Sequence, residues 1–327
     1  MTKLKLSFIV AVALAAFGLA AAPAHALPTR TWVSGKGLDT NPCSLASPCR
    51  TFAQALSQTA AGGEIDVLDP AGYGSLTIDK AISIINDGVG VAGLQAGSGG
   101  NAITINAGPG DAIHLRGLTI EGAGLASNGI VFYTGGSIDI VHCVIRHFTV
   151  RGIALWVTTP LKFSIINTIS SDNGVGLDLS PLTPSVIIVG AINGVTMTNN
   201  SKGIRVDGSG SATSVTIANS LAANNDYGIS YSNAQGTIVD SVVSGSTVDG
   251  ISVSNNSSVM LRNITATKNS TGVYTYTSTV WLARSTLTQN NYGIFSSGGF
   301  VYTYGDNNID GNATENIHSF LTSIPAH

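Results

Sequence analysis

Charge is what this sequence has least of. Only 10% of its 327 residues are Asp, Glu, Lys or Arg, and they sum to −3. No basic run occurs, so a nucleic acid is not an expected partner. Aromatic residues are sparse, at 6%, and no Asp-Asp pair occurs anywhere. The carboxylate pair that glycoside hydrolysis usually needs would have to come from distant parts of the chain. Past the first 26 residues the pattern is too polar for membrane spans, yet a mean hydropathy of +0.29 is too high for disorder. What is present is Gly, Thr, Ser, Asn, Val and Ile in short runs, which describes a β-solenoid better than a globular enzyme.

Those runs repeat. A glycine followed by a branched aliphatic opens a strand at Gly129, Gly152, Gly176, Gly203, Gly228, Gly250, Gly272 and Gly293, at intervals of 23, 24, 27, 25, 22, 22 and 21 residues. A period of this size marks stacked coils. Three residues before each glycine from the second onward stand Thr149, Asn173, Asn200, Asn225, Thr247, Asn269 and Asn290. Asparagine tolerates a left-handed bend and can bond turn backbone. Stacked at about 4.8 Å, the strand spacing, these side chains would form a ladder. The aliphatics after the glycines, Ile130, Ile153, Leu177, Ile204, Ile229, Ile251, Val273 and Ile294, are the expected core.

The chain opens with Lys3 and Lys5, an apolar run from Leu6 to about Ala22, and Ala24-His25-Ala26. This reads as a signal peptide cleaved after Ala26, giving a secreted or periplasmic protein. Export would make Cys43 and Cys49 a disulfide across a short loop. The alternative, a metal pair, lacks further ligands nearby, and no metal or cofactor is expected. Cys143, between aliphatics, reads as a buried small hydrophobe. Thr51 to Ala60 reads as a helix with Thr51 as N-cap, stopped at Gly62-Gly63 and covering the open first coil. Strands are expected at Glu64–Leu68, Leu76–Ile78, Ala81–Ile85, Ala102–Ile105 and Ala112–Leu115. The expected division is 1–26 signal peptide, 27–62 disulfide loop and capping helix, 63–312 a right-handed parallel β-helix of roughly eleven coils, and 313–327 a C-terminal cap. The fold class is all-β. A strict six-residue period and calcium-binding nonapeptide repeats are both absent.

The segment Trp32-Val33-Ser34-Gly35, Asp39, Asn41-Pro42-Cys43 and Ser47-Pro48-Cys49-Arg50-Thr51-Phe52 resembles the N-terminal signature of secreted right-handed parallel β-helix repeat proteins of the pectin-lyase-like superfamily. Ala60-Ala61-Gly62-Gly63-Glu64-Ile65, Gly72-Tyr73-Gly74, Cys143-Val144-Ile145-Arg146 and Tyr304-Gly305-Asp306-Asn307-Asn308 are similar to an uncharacterised bacterial subgroup of it. The resemblance implies the fold. It does not choose an activity, since the superfamily holds lyases, hydrolases, epimerases, adhesins and phage tail proteins. Its lyases use calcium on a carboxylate cluster with an Arg or Lys as base, so Ca²⁺ is expected only if this chain is a lyase. The hydrolase motifs Asn-Thr-Asp, Asp-Asp, Gly-His-Gly and Arg-Ile-Lys are missing.

Candidate chemistry must therefore be assembled across coils. Two residues after each glycine the side chain should face outward. There Asp178 and Arg205 would meet as a cross-coil pair, and Tyr274 and Phe295 would stack, with Tyr276 close by. Ten before the glycine, Asp240 and Arg262 would pair. Asp139, His142, Arg146, His147 and Arg151, with His114 and Arg116 a coil earlier, form the densest polar cluster, where a histidine beside a carboxylate could act as a base. Spread over 13 residues, 139–151, they cannot all share one face. The first expectation is an exported protein that binds carbohydrate or another surface polymer without catalysis. The alternatives are a polysaccharide lyase or hydrolase with a non-standard site, and a structural or adhesin-like surface protein.

Overall fold

A computed structural model describes residues 26–325. The proposed signal peptide lies outside the described residues except for Ala26. The chain winds through three parallel sheets in a fixed cycle. Sheet I has 13 strands, from Arg30–Val33 to Leu321–Ser323; sheet II has 11, from Ala71–Gly72 to Asn308–Ile309; sheet III has 11, from Leu76–Ile78 to Glu315–His318. One coil reads Ser137–Val141 in sheet I, Val144–Arg146 in sheet II and Arg151–Val157 in sheet III. This is the right-handed parallel β-helix expected from the glycine period, with about eleven coils.

The register follows the repeat. Ile130 pairs with Ile153, and the column continues through Leu177, Ile204, Ile229, Ile251 and Val273 to Ile294. Every member is at most 1% exposed, so the interior is a stack of branched aliphatics. At about 25 cal/mol per Å² of apolar surface removed from water, this stacking is the main force holding the coils together.

The turn from sheet II to sheet III is where sequence and geometry are most tightly linked. The Asn173 amide oxygen accepts the Phe148 N–H of the coil before (2.9 Å), Asn200 accepts Asn173 N–H (3.0 Å), and Asn225 accepts Asn200 N–H (2.9 Å). The same amides donate from Nδ2 to carbonyls at the previous coil's sheet II strand, Asn200 to Ser170 and Asn225 to Met197. Asn269, Asn290 and Asn312 repeat the pattern on Ser246, Asn269 and Asn290. The ladder therefore clips each turn to the next rather than only stacking amides.

Two expected rungs are wrong. Thr149 and Thr247 are exposed, and they donate to Ala126 O and Asp226 Oδ1 instead. In those coils the turn is one residue longer before the glycine, so Phe148 and Ser246 take the inward place. The left-handed residue is also not the ladder residue but the one before it: His147, Asp172, Asn199, Asn224, Lys268 and Gln289 all have φ between 55° and 60°.

The glycines answer to space, not to backbone angle. A Cβ on Gly203 would lie 2.5 Å from the Gly228 carbonyl oxygen and 3.0 Å from Asn225 Nδ2, and one on Gly272 would meet Gly293 O at 2.6 Å. A second ladder at the sheet I to II turn went unseen in the sequence. There Ser220, Ser241 and Ser285 hydroxyls accept the N–H of Val195, Ser220 and Ile264. Cys143 lies in this column, 1% exposed, as the small buried hydrophobe expected; burial pushes its thiol up to about 11.

At the N-terminal end, α1 (Phe52–Gln58) starts at Thr51, whose hydroxyl accepts Gln54 N–H, and buries Phe52, Ala55 and Leu56 against the first coil. Cys43 and Cys49 form the expected disulfide. The signature residues act as a clasp: Asp69 accepts Ser34 Oγ and Gly35 N–H, and Asp39 accepts the N–H groups of Arg50 and Thr51. Two of the expected boundaries shift. Arg30–Val33 already pairs with Gly63–Val67 in sheet I, so the solenoid begins before the helix rather than at residue 63. Glu315–His318 and Leu321–Ser323 continue sheets III and I instead of forming a cap. Ile317 stands in register with Ile294, and Leu321 packs against the core.

Replacing Asn200 by Ala would leave Asn173 N–H and Ser170 O without these bonds inside the wall. The expected loss is about 1–3 kcal/mol, read as a lower urea midpoint and faster amide exchange around residues 170–176. Ser246 marks the opposite case, because its short side chain leaves the hydroxyl without a partner. Ser246→Asn should complete the ladder and raise the melting temperature, by about 1 kcal/mol of added stability.

Candidate functional site

The outward columns of sheet III carry most of the unusual side chains. The column just before the anchor glycines reads Asn128, Arg151, Val175, Lys202, Tyr227, Asp249, Thr271 and Tyr292, and it continues in register to Glu315. The column two after the glycine includes Asp178, Arg205, Ser230, Ser252, Tyr274 and Phe295. Strand pairing places these neighbours about 4.8 Å apart along the axis, so the face is a strip running the length of the stack.

Toward the N-terminal end the strip is ionic. Asp178 pairs with Arg205 as the spacing predicts (2.8 Å), and also with Arg151 (2.5 Å), while Trp156 Nε1–H donates to it at 3.2 Å. Arg205 continues to Asp207 (2.7 Å), and the Arg151 guanidinium lies 4.5 Å from the Trp156 ring centroid. Asp178 is 1% exposed despite its outward position. Burial opposes its ionisation, but the hydrogen bonds from Arg151 and Arg205 outweigh that and hold it below the usual carboxylate range. This is a saturated ion network, with no free valence on Asp178 to do acid–base work.

Toward the C-terminal end the strip becomes aromatic. Tyr274 and Phe295 stack at 6.0 Å, as expected, and Tyr292 meets Phe295 edge-on at 5.3 Å. Tyr227, Tyr276 and these three rings line a cleft of about 590 Å³ with Asp249, Ser252 and Thr271. Asp249 is 8% exposed, and among the described residues no cation is paired with it. Burial pushes its carboxyl up to about 6, against a smaller opposing pull from the hydroxyls of Thr271 and Ser252. Lys202 sits on the ionic side of the cleft, with Nζ 5.5 Å from the Tyr227 ring centroid.

The dense polar cluster of the sequence is dispersed over three faces. Asp139 lies on sheet I with His114 (2.8 Å) and Ser164. His142 meets Asn167 at the sheet I to II turn. Arg146 and His147 share Glu121, at 2.9 and 2.8 Å. Burial works against ionisation of Glu121, but Ala123 N–H, His147 and Arg146 together hold it below its ordinary value. Arg151 belongs to the sheet III network. Asp240 accepts from Asn263, not Arg262, because Arg262 pairs in register with Val239. A larger hollow of about 740 Å³ beside His147 and Thr149 has one carboxylate, Asp172, which already accepts from Asn199. Among the described residues no three acidic, His or Cys side chains are placed to hold a metal ion.

Tyr227, Asp249, Tyr292 and Lys202 were not singled out by sequence reasoning. The signal was available: each stands immediately before an anchor glycine. Trp281 and Tyr302 form a second missed stack, at 6.1 Å on sheet I.

Asp249 gives a signed prediction. Its folded carboxyl titrates above its unfolded value, so the native state binds the proton more tightly, and the cost of the charged form grows as pH rises from about 4 through 6. Asp249→Asn should stabilise the protein by about 1–3 kcal/mol at pH 7.5 and leave it nearly unchanged at pH 4, measured by thermal unfolding at both pH values.

Solved structures share this architecture at low identity. A pectate lyase, Pel9A, superposes with a TM-score of 0.54 at 15% identity, covering 83% of this chain and 78% of that one. The A-module of the Azotobacter vinelandii mannuronan C-5 epimerase AlgE4 gives 0.59 at 15%, covering 81% and 91%. Tailspike protein 2 of the Escherichia coli O157:H7 bacteriophage CAB120 gives 0.57 at 11%, covering 81% of this chain and 43% of the tailspike. At such identities the likeness shows the fold alone. No curated protein matches the chain in sequence. No helix among the described residues is long and apolar enough to cross a membrane. A family model described as right handed beta helix region matches residues 182–324. A second model, protein of unknown function (DUF1565), matches residues 33–240, and the chain belongs to that family.

Proposed function

We propose that this is an exported protein that binds a polysaccharide or a related cell-surface polymer along the outer face of sheet III. The observation that carries the reading is the aromatic cleft around Tyr274 and Phe295, set in the outer face of sheet III. Exposed ring faces stack on the apolar faces of sugars, and the serine, threonine and tyrosine hydroxyls beside them can bond sugar hydroxyls. A polymer lying along the axis would meet equivalent positions on successive coils. The Cys43–Cys49 disulfide fits an oxidising compartment.

A second reading, polysaccharide cleavage, draws on one observation. A carboxylic acid pushed up to about 6 inside a cleft is suited to donate a proton. Glycoside hydrolysis would need a second carboxylate facing it, and Asp249's register neighbours are Tyr227 and Thr271. The calcium of the lyase route finds no ligand cluster among the described residues. Binding without cleavage is therefore the reading we adopt.

The binding reading is tested by affinity electrophoresis through gels containing plant, algal and bacterial polysaccharides. Tyr274→Ala should lose about tenfold or more in affinity for the retained polymer, the scale of a stacking contact of 1–3 kcal/mol, with unchanged melting. Release of unsaturated or reducing ends during the same incubation would instead favour cleavage.

A further inference from the structure

The aromatic cleft combines two features that suit one kind of group. It is lined by the rings of Tyr227, Tyr274, Tyr276, Tyr292 and Phe295. Beside the rings stands the Asp249 carboxylate, buried and with no cation paired to it among the described residues. Ring faces carry negative quadrupole potential and attract cations within about 6 Å. A buried carboxylate in the same place costs free energy until a positive partner arrives. A neutral sugar would satisfy the rings but leave Asp249 uncompensated. The cleft already shows the preference on its edge, where the Lys202 ammonium has settled over Tyr227.

We propose that this cleft recognises a cationic amino group on a glycan, such as the free amine of a deacetylated amino sugar, held between Asp249 and the rings of Tyr274 and Phe295. The proposal rests on the carbohydrate-binding reading above and names the ligand class of the same site. The groups facing Asp249 are few. Tyr227 and Thr271 flank it in register, Ser252 lies on its own strand, and Tyr274 is held neutral first by burial and then by the nearby carboxylate. Lys202 lies beyond Tyr227, and three strands away Glu315 holds His318, whose ring stacks on the far side of the cleft against Phe295 at 4.4 Å. Asp226, on the turn before Tyr227, is held by Thr247. Asp249 is thus the charge a bound amine would meet. A cation binds the ionised carboxylate, so affinity should weaken as pH falls through about 6.

The test is calorimetric titration of the full chain with three hexamers: glucosamine, N-acetylglucosamine and N,N,N-trimethylated glucosamine. The trimethylated form keeps its charge at every pH. At pH 6.5 the glucosamine hexamer should bind about tenfold tighter than the acetylated one, and Asp249→Asn should erase that difference. Between pH 7.5 and 5 the trimethylated hexamer should lose affinity for the native protein but not for Asp249→Asn. Equal binding of amine and acetyl forms, or an amine preference that survives Asp249→Asn, would overturn the amine assignment while leaving carbohydrate binding standing. Failure of all three hexamers, together with no retention by any polysaccharide, would overturn both.

Discussion

The spacing between neighbouring coils at the sheet II to III turn constrains everything else. There the coils lie so close that a Cβ on Gly203 would stand 2.5 Å from the Gly228 carbonyl oxygen, too near for any side chain. An asparagine amide fills the remaining gap and bonds both a backbone N–H and a backbone carbonyl of the coil behind it. Neither device works alone. Without glycine the amide has no room, and without the amide a buried N–H is left unmet. Where asparagine gives way to Ser246, the shorter side chain leaves its own hydroxyl without a partner.

With the turns locked, the outer side chains of each sheet fall into columns. That converts residues more than 20 positions apart into direct neighbours. It also makes the electrostatics of each position depend on the coils before and after it. Asp178 and Asp249 occupy similar strands of one sheet and are both nearly inaccessible. One lies between arginines and is held ionised; the other lies between a tyrosine and a threonine and is pushed toward its neutral form. The first closes a network that ties three coils together. The second leaves a charge seeking a partner in a cleft lined with rings, and that contrast is why the functional reading centres on residues 227–295 rather than on the ionic end.

Much of the fold could be read from residues alone. The glycine interval, the asparagine three places earlier and the aliphatic one place later were enough to specify coils, ladder and core. The errors have a common origin. Thr149 and Thr247 were placed by counting back from glycine, and a turn longer by one residue moved them outside while Phe148 and Ser246 moved in. Asp240 and Arg262 failed for the same reason, a register counted from a distant anchor. The cluster from Asp139 to Arg151 is dense in sequence but crosses two corners, so its members face three directions. Asp249 escaped notice because the position before each anchor glycine was not followed as a column, and nothing in its own serine-rich stretch marks it as buried.

The sequence by itself determined the repeat, because stacked coils have similar perimeters and a recurring set of sterically tight points, and both leave a periodic trace. It determined the buried column for the same reason. Only the tertiary structure decided which outward side chains meet, since that depends on the exact length of every turn between them. It also decided which carboxylate is compensated and which is not, because the free energy of a charge is set by neighbours in adjacent coils and by the water they displace, and neither is adjacent along the chain.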